Sequence, residues 1–369
     1  MKIVVAFDTF KGCVNGYEAS EYVASRLTEH GAEAYALPLA DGGEGTARAL
    51  ALLYGGTPVD VETVDAYGAP TEARVYLLPE GVAAVDMASC VGLGAAEGTS
   101  RARVMEASSY GLGLLLRRLA ETHRPASVLL GAGGSASCDG ATGLLAALGA
   151  RLRFRTHTPM RPAGRHLAAV EGLDMSAVAG LPPVTLLCDV RAPLLGPDGA
   201  ALRFAPQKGA TPAQTLTLDA GLKRWCRIVA RTLGADPRSL AFEPGMGTAG
   251  GITLAARLLG WQAADGAAYM TSLLSSRLEG AGLAITGEGR TDLSTLQGKA
   301  PYALMRRAAA MGIPTAILSG QLTLTPRQLA AAGFAYARAV SPRPFPASDI
   351  SAAATLPRLA AAAIALLEQ

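Results

Sequence analysis

Acidic, basic and glycine-rich clusters recur in this chain directly after short apolar runs. After residues 3–7 come Asp8, Thr9 and Lys11, and after 34–39 come Asp41, Gly42, Gly43 and Glu44. After 127–130 comes the stretch 131–140, which carries Gly133, Gly134, Ser135, Ser137 and Asp139. Asp189 follows the run 184–188, and Gly287, Glu288, Gly289, Arg290 and Asp292 follow 283–286. Carboxylates so placed can hold a divalent metal, as phosphoryl transfer requires, or orient an attacking hydroxyl; the candidates are Asp8, Asp41, Asp189, Glu288 and Asp292. Lys11, Lys208, Arg290 and Lys299 sit beside turn signals and could grip a substrate carboxylate or a moving phosphate. Glycines in 131–140 would let backbone N–H groups approach phosphate oxygens, with the start of the next helix adding partial positive charge. Each feature alone has a plainer reading: an aspartate as a cap or turn residue, the glycine loop as a tight turn capped by Ser135, Ser137 or Asp139, a loop lysine as solvated. Their recurrence at successive strand ends favours a shared active site.

Other chemistries fit less well. Gly131-x-Gly133-x-x-Ala136 follows a strand as a dinucleotide fingerprint would, but the expected downstream acid is missing; Arg151 stands near that place and would favour NADP. An NADP-linked oxidoreductase is thus the alternative from another class. Gly245-x-Gly247-x-x-Gly250 also matches, although Phe242-Glu243-Pro244 is a poor preceding strand. A Walker A loop is absent, because Gly298-Lys299 leads into Ala300, and the GxSxG and HExxH signatures are absent too. The five cysteines form no CxxC pair, which argues against zinc and suits reduced thiols. A net charge of +3 with scattered arginines gives no nucleic-acid footprint. The apolar run 359–367 is too short to span a bilayer and the first residues lack a signal-peptide pattern, so a soluble cytoplasmic protein is expected, with no membrane partner. The sequence leaves room for a homo-oligomer.

The elements that must position these groups alternate. A chain of 369 residues, half of them hydrophobic and 17% charged, is long enough for two or three domains with sizeable cores. Spacing predicts strands over 3–7, 34–39, 127–130, 184–188, 283–286, 314–318 and 335–340. It predicts helices over 17–30, 46–54, 103–121, 139–148, 212–233, 300–311, 326–332 and 350–367. Alternating segments 59–64, 73–78 and 82–87, separated by turn signals, predict antiparallel hairpin strands. The expected fold is α/β: residues 1–60 and 281–369 form a discontinuous parallel-sheet domain, into which a mixed α/β domain, 61–280, is inserted.

These motifs resemble the bacterial type I glycerate kinase family along the whole chain. Ala6-Phe7-Asp8-Thr9-Phe10-Lys11 is similar to its A-P-D-S-[FY]-K, and Pro38-Leu39-Ala40-Asp41-Gly42-Gly43-Glu44-Gly45-Thr46 matches P-[LV]-A-D-G-G-E-G-T throughout. Gly133-Gly134-Ser135-Ala136-Ser137-Cys138-Asp139-Gly140 resembles G-G-S-A-T-N-D-G, and Cys188-Asp189-Val190-Arg191-Ala192-Pro193-Leu194 resembles C-D-V-x-N-P-L. Phe204-Ala205-Pro206-Gln207-Lys208-Gly209-Ala210 resembles F-G-P-Q-K-G-A. Ile285-Thr286-Gly287-Glu288-Gly289-Arg290-Thr291-Asp292, with Gly298-Lys299, resembles I-T-G-E-G-R-x-D and a later G-K. The resemblance implies a flavodoxin-like domain carrying a second α/β domain, ATP and Mg2+ as cofactors, and transfer of the γ-phosphoryl group to glycerate, with 2-phosphoglycerate favoured as product. Another small hydroxy acid or sugar acid is the alternative acceptor.

Under that reading Asp189 orients or deprotonates the substrate hydroxyl, with Asp8, Lys11 and Arg290 completing the catalytic set. Lys208, Asp41, Gly42, Gly43 and Glu44 bind substrate. Gly133, Gly134, Ser135, Ser137, Asp139, Gly287, Glu288, Gly289 and Lys299 bind the nucleotide, and Asp41 and Asp292 hold the metal. The departures from the family pattern, Phe7, Thr9, Cys138, Ala192 and Ala205, are expected inside the pocket, where lost amide side chains at 138 and 192 would change how a hydroxyl is read.

Overall fold

Chain contacts divide the computed structural model, which describes residues 1–10, 12–93, 103–188, 191–341 and 351–368, into two compact units. The first is Met1–Asp41 with Gly266–Gln369, and the second is Gly42–Asp265. The chain changes unit earlier than the expected boundaries at 60 and 280. The Thr57–Val64 strand pairs along its whole length with Pro70–Leu77, and the Thr46–Tyr54 helix packs on Val82–Asp86, so both belong to the second unit. The Gly266–Leu273 helix packs on Ala300–Ala310 in the first unit, and Lys2 Nζ donates to the carbonyls of Arg277 and Glu279 at 2.9 and 2.6 Å.

The first unit is built on a five-stranded sheet in the spatial order Glu33–Ala36, Lys2–Val5, Leu283–Thr286, Thr315–Ser319, Tyr336–Ala339. Every neighbouring pair is parallel. Numbered by chain order this is 2-1-3-4-5, the flavodoxin-like order. The residues dictate which strands are central. Ile3, Val4 and Val5 have no exposed surface, so this strand is covered on both faces and reads as a continuous apolar run. The edge strands Glu33–Ala36 and Tyr336–Ala339 alternate exposed and half-buried residues. Helix Gly16–Glu29 is capped by Asn15, whose side chain accepts from the Tyr17 N–H, and it buries Ala19, Val23 and Leu27 at fourfold spacing. The Ala352–Leu367 helix packs against it.

This order has one functional consequence. The chain leaves Lys2–Val5 toward one side of the sheet and later returns to its other side at Leu283–Thr286. Loops diverge beyond the carboxyl ends of these two strands, and open parallel sheets bind ligands at such a switch point.

The second unit holds a six-stranded mixed sheet. Gln262–Asp265, Val184–Cys188, Ser127–Gly131 and Val82–Asp86 run parallel, followed by the antiparallel Pro70–Leu77 and Thr57–Val64. The 22-residue helix Pro212–Leu233 starts at a capping box between Thr211 and Gln214 and ends at Gly234. Its Trp225 is fully buried, with the indole N–H donating to the Gly140 carbonyl at 2.8 Å. Several features differ from expectation, among them the strand Gln262–Asp265, which the sequence pattern did not announce. The helix expected over 103–121 starts only at Tyr110, because Ser109 is held by Asp139, as described below. An antiparallel pair, Arg151–Phe154 with Val170–Asp174, adds strands the sequence pattern did not announce. Among the described residues no helix is long and apolar enough to cross a membrane.

Candidate active site

Two strand ends of the first unit meet at its switch point. The Asp8 N–H donates to the Gly287 carbonyl at 2.9 Å, and Thr286 Oγ1 donates to the Ala6 carbonyl at 2.7 Å. Gly287 must be glycine, since a Cβ there would lie 1.7 Å from the Leu318 carbonyl oxygen. Past this junction the wall opens into a cavity of about 410 Å³, whose lining includes Asp8, Asp41, Glu288, Gly289, Arg290, Asp292 and Lys299. That volume suits a small ligand. The sequence brought these residues forward; the structure of this unit gathers them around one space.

Their electrostatics are graded. Glu288 is buried, with only 6% of its surface exposed, and burial pushes its carboxyl above the ordinary value. The Thr295 hydroxyl opposes that shift by donating to Glu288 Oε1 at 2.5 Å, and Lys299 Nζ opposes it from 3.5 Å off Oε2. Thr295 also accepts from the Asp292 N–H at 3.1 Å, which links the two acids through one hydroxyl. Asp292 is held below the usual carboxylate range, chiefly by the Ser294 hydroxyl at 2.5 Å, with the Ser294 N–H at 2.8 Å adding to it. Arg290 Nε lies 3.8 Å from the other Asp292 oxygen, and the arginine side chain is largely exposed. The cavity thus presents acids and cations together.

The donor set fits magnesium in kind: it is carboxylate oxygen, hard and anionic. Among the described residues no group of three His, Cys, Asp or Glu is arranged to hold a metal. A magnesium ion bound by one or two carboxylates and by substrate phosphates needs no such group.

The second unit carries the remaining motif residues in a different way. Lys208 is 96% buried, being 4% exposed, and its Nζ donates to the Ser137 carbonyl at 2.7 Å and to Ser135 Oγ at 3.1 Å. It fastens the glycine loop from within. Among the described residues, the buried Ser137 Oγ has no hydrogen-bond partner. Asp139 is expected to bind nucleotide, but its carboxylate is turned into protein. Oδ2 accepts from the Ser109 N–H and hydroxyl, both at 2.8 Å, and from the Gly143 N–H at 3.2 Å; Oδ1 accepts from the Ala141 N–H at 3.2 Å. Burial drives its pKa up and these donors oppose the shift. Asp139 therefore positions the loop instead of presenting an oxygen to a ligand. Glu44 is exposed, and a Cβ placed on Gly134 would come within 3.4 Å of its Oε2, so this acid lies against the glycine loop. Gly42 and Gly43 are buried beside it, and Gly133 and Gly134 continue the loop. Lys11 and Asp189 lie outside the described residues.

The dinucleotide reading of the Gly131 loop fails on geometry. Ten residues, 132–141, separate the Ser127–Gly131 strand from the short Thr142–Ala147 helix, where that fingerprint needs a tight turn straight into a helix. Four of the five family departures are absent from the lining of the switch-point cavity. Phe7, Cys138 and Ala205 have no exposed surface and pack into the apolar cores, and Ala192 is 6% exposed. Phe7 stacks edge-on with Phe10 at 5.7 Å, and burial lifts the Cys138 thiol to about 11. Only Thr9 lines the cavity.

Sequence reasoning missed several lining residues. Thr355 and Arg358 reach the cavity from the C-terminal helix, and Gln321 from a two-residue strand. A lone arginine in an alanine-rich helix carries no signal of its own. Asp86 was hidden inside the run 82–87, although an acid closing a strand was a signal that could have been used. Burial pushes its carboxyl up to about 7, Glu44 adds to the shift, and the Ala47 and Gly45 N–H groups oppose it.

Comparison with known proteins now decides the class. The model of the glycerate kinase family matches residues 3–368. The chain belongs to the glycerate kinase family. Relatives include the glycerate kinase of Bacillus subtilis (strain 168), 31% identical over 334 residues, covering 88% of this chain and 86% of that protein. The glycerate 2-kinase of Escherichia coli (strain K12) is 30% identical over 335 residues, again covering 88% and 86%. Among solved structures, the crystal structure of putative glycerate kinase 2 from Salmonella typhimurium LT2 superposes with a TM-score of 0.78 at 31% identity, covering 100% of this chain and 98% of that one. This glycerate kinase family enzyme is an α/β protein whose two large sheets are one parallel and one mixed.

Proposed function

We propose that this enzyme transfers the γ-phosphoryl group of ATP to glycerate, giving 2-phosphoglycerate. The observation that carries the reading is the charged cavity at the switch point, where Asp8, Asp41, Glu288 and Asp292 face Arg290 and Lys299. Phosphoryl transfer needs little covalent help from a protein; it needs positioning and charge neutralisation, and such a lining supplies both. Arg290 and Lys11 neutralise the moving charge, and Asp189 takes or orients the proton of the attacking hydroxyl, with Asp8 beside them in the catalytic set. Asp41 and Asp292 would hold Mg2+, which when bound shields the phosphate oxygens. Lys208 with Gly42, Gly43 and Glu44 serves substrate, while Gly133, Gly134, Ser135, Ser137, Gly287, Glu288, Gly289 and Lys299 serve the nucleotide. Asp139 drops out of the binding set because its oxygens are taken.

Glycerate is preferred over other small hydroxy acids or sugar acids. Support for glycerate comes from relatives named glycerate kinase and glycerate 2-kinase, 31% and 30% identical to this chain. A membrane partner and a nucleic-acid partner are not part of this reading, and the cytoplasm is its natural compartment.

The test is ATP consumption with D-glycerate and Mg2+, followed by 31P and 13C NMR of the product. Glycerate-dependent ADP release with phosphate on the C2 oxygen is expected. Phosphate on the C3 oxygen would overturn the regiochemistry, and turnover only with another hydroxy acid would overturn the substrate.

A further inference from the structure

Within the second unit, three pieces of chain converge on a carboxylate that no motif assignment includes. Asp86 ends the Val82–Asp86 strand, beside Gly131 in the neighbouring parallel strand. Its Oδ2 accepts from the Gly45 N–H at 2.8 Å and its Oδ1 from the Ala47 N–H at 3.0 Å. These are donors at the start of the nine-residue helix Thr46–Tyr54, whose own N-cap residue, Gly45, has no side chain to offer. Asp86 thus caps that helix from 41 residues away, where a negative group is favoured by the helix dipole. The fit around it is tight. A Cβ on Gly131 would lie 2.7 Å from Asp86 Oδ1, 3.1 Å from the Gly43 carbonyl and 3.3 Å from the Gly42 carbonyl. The Ala132 N–H donates to that same Gly42 carbonyl at 2.9 Å.

The residues after Asp86 extend the attachment. The Met87 N–H donates to the Gly131 carbonyl at 2.9 Å, the Leu93 N–H to the Gly134 carbonyl at 3.0 Å, and the Ala136 N–H to the Val91 carbonyl at 2.9 Å. One short stretch therefore holds the glycine loop with its backbone and, with a side chain, the Gly45–Ala47 turn that directly follows Gly42–Glu44.

We infer that Asp86 is a positioning residue of the phosphoryl-transfer site: its bidentate grip on Gly45 and Ala47 sets Gly42, Gly43 and Glu44 in register with the Gly131–Gly134 loop. This inference rests on the proposed kinase reading for its effect on turnover, but the grip itself can be read independently. Both carboxylate oxygens accept, so an amide is a poor substitute. Asp86→Asn presents its NH2 to one of the two N–H donors and breaks that bond.

The experiment compares wild type, Asp86→Asn and Asp86→Glu by two readouts. The first is amide hydrogen exchange of peptides spanning 42–47 and 131–136, with the Pro212–Leu233 helix as internal reference. The second is kcat and KM for each substrate at pH 8. Losing one hydrogen bond to a charged group corresponds to roughly a 10–100-fold change, so exchange in both peptides of Asp86→Asn quickens by about that factor while the reference helix is unchanged. Its kcat falls by a similar factor, and Asp86→Glu, which keeps two acceptors on a longer arm, recovers part of both. Wild-type exchange at 42–47, or loss of activity that only tracks loss of folded protein, overturns the inference. If wild type itself leaves glycerate unphosphorylated, the kinase reading fails while the exchange data still judge the grip.

Discussion

The two units use charge in opposite ways. In the first, acids and cations from four separated segments stand around an open space: Arg290 is largely exposed and Lys299 is a third exposed. In the second, Asp139 and Lys208 are buried and Asp86 mostly so, each satisfied by backbone and hydroxyl groups of the loops they hold. The same kind of motif, a charged residue in a glycine-rich turn after a strand, lines an open cavity in one unit and is enclosed by protein partners in the other. Residue type does not separate these placements; whether the side chain reaches the open cavity does.

The contrast breaks most sharply at Asp139. Asp139→Ala strands four buried donors at once, and each unsatisfied group costs about 1–3 kcal/mol, so partial compensation still leaves a loss of at least about 3 kcal/mol. Urea denaturation followed through Trp225, which lies in the same unit, reads this loss; an unchanged midpoint would return Asp139 to the ligand-facing class.

A smaller effect sharpens the contrast through pH. The Asp86 carboxyl titrates near 7 when folded against about 3.8 when unfolded, because burial outweighs the two N–H donors. Between those values the folded chain holds a proton that the unfolded chain has released. The resulting stability is fully present below the unfolded value and is lost as pH rises through about 7. The urea midpoint is therefore lower at pH 8 than at pH 5, and the difference narrows in Asp86→Asn. A difference of the same size in the variant would place the titrating group elsewhere.

Much of this architecture was legible in the residues, for physical reasons that also explain the misses. Pro212–Leu233 is delimited at both ends by local signals, the Thr211–Gln214 box with Pro212 and then Gly234, and the helix follows them to the residue. The central strands announced themselves as apolar runs because both faces are covered. Strand order was not readable from spacing, since which neighbour a strand takes is a tertiary choice; the flavodoxin-like order came through the family resemblance. The Arg151–Phe154 strand was missed because alternating arginines on a short exposed pair resemble a solvated turn. At the site, the polar ends of buried strands were conspicuous, whereas Arg358 depends on how the C-terminal helix packs. Asp139 was misread because a helix-capping aspartate and a phosphate-loop aspartate look alike until their donors are counted.

The first unit's cavity as the seat of phosphoryl transfer is tested most directly by Arg290→Ala, assayed with saturating ATP, Mg2+ and glycerate alongside thermal denaturation. Arg290 is exposed and its contact with Asp292 is long, so the melting temperature should match wild type. Removing a cation aimed at developing charge should lower kcat by roughly a hundredfold or more. Wild-type turnover in this folded variant would contradict the account.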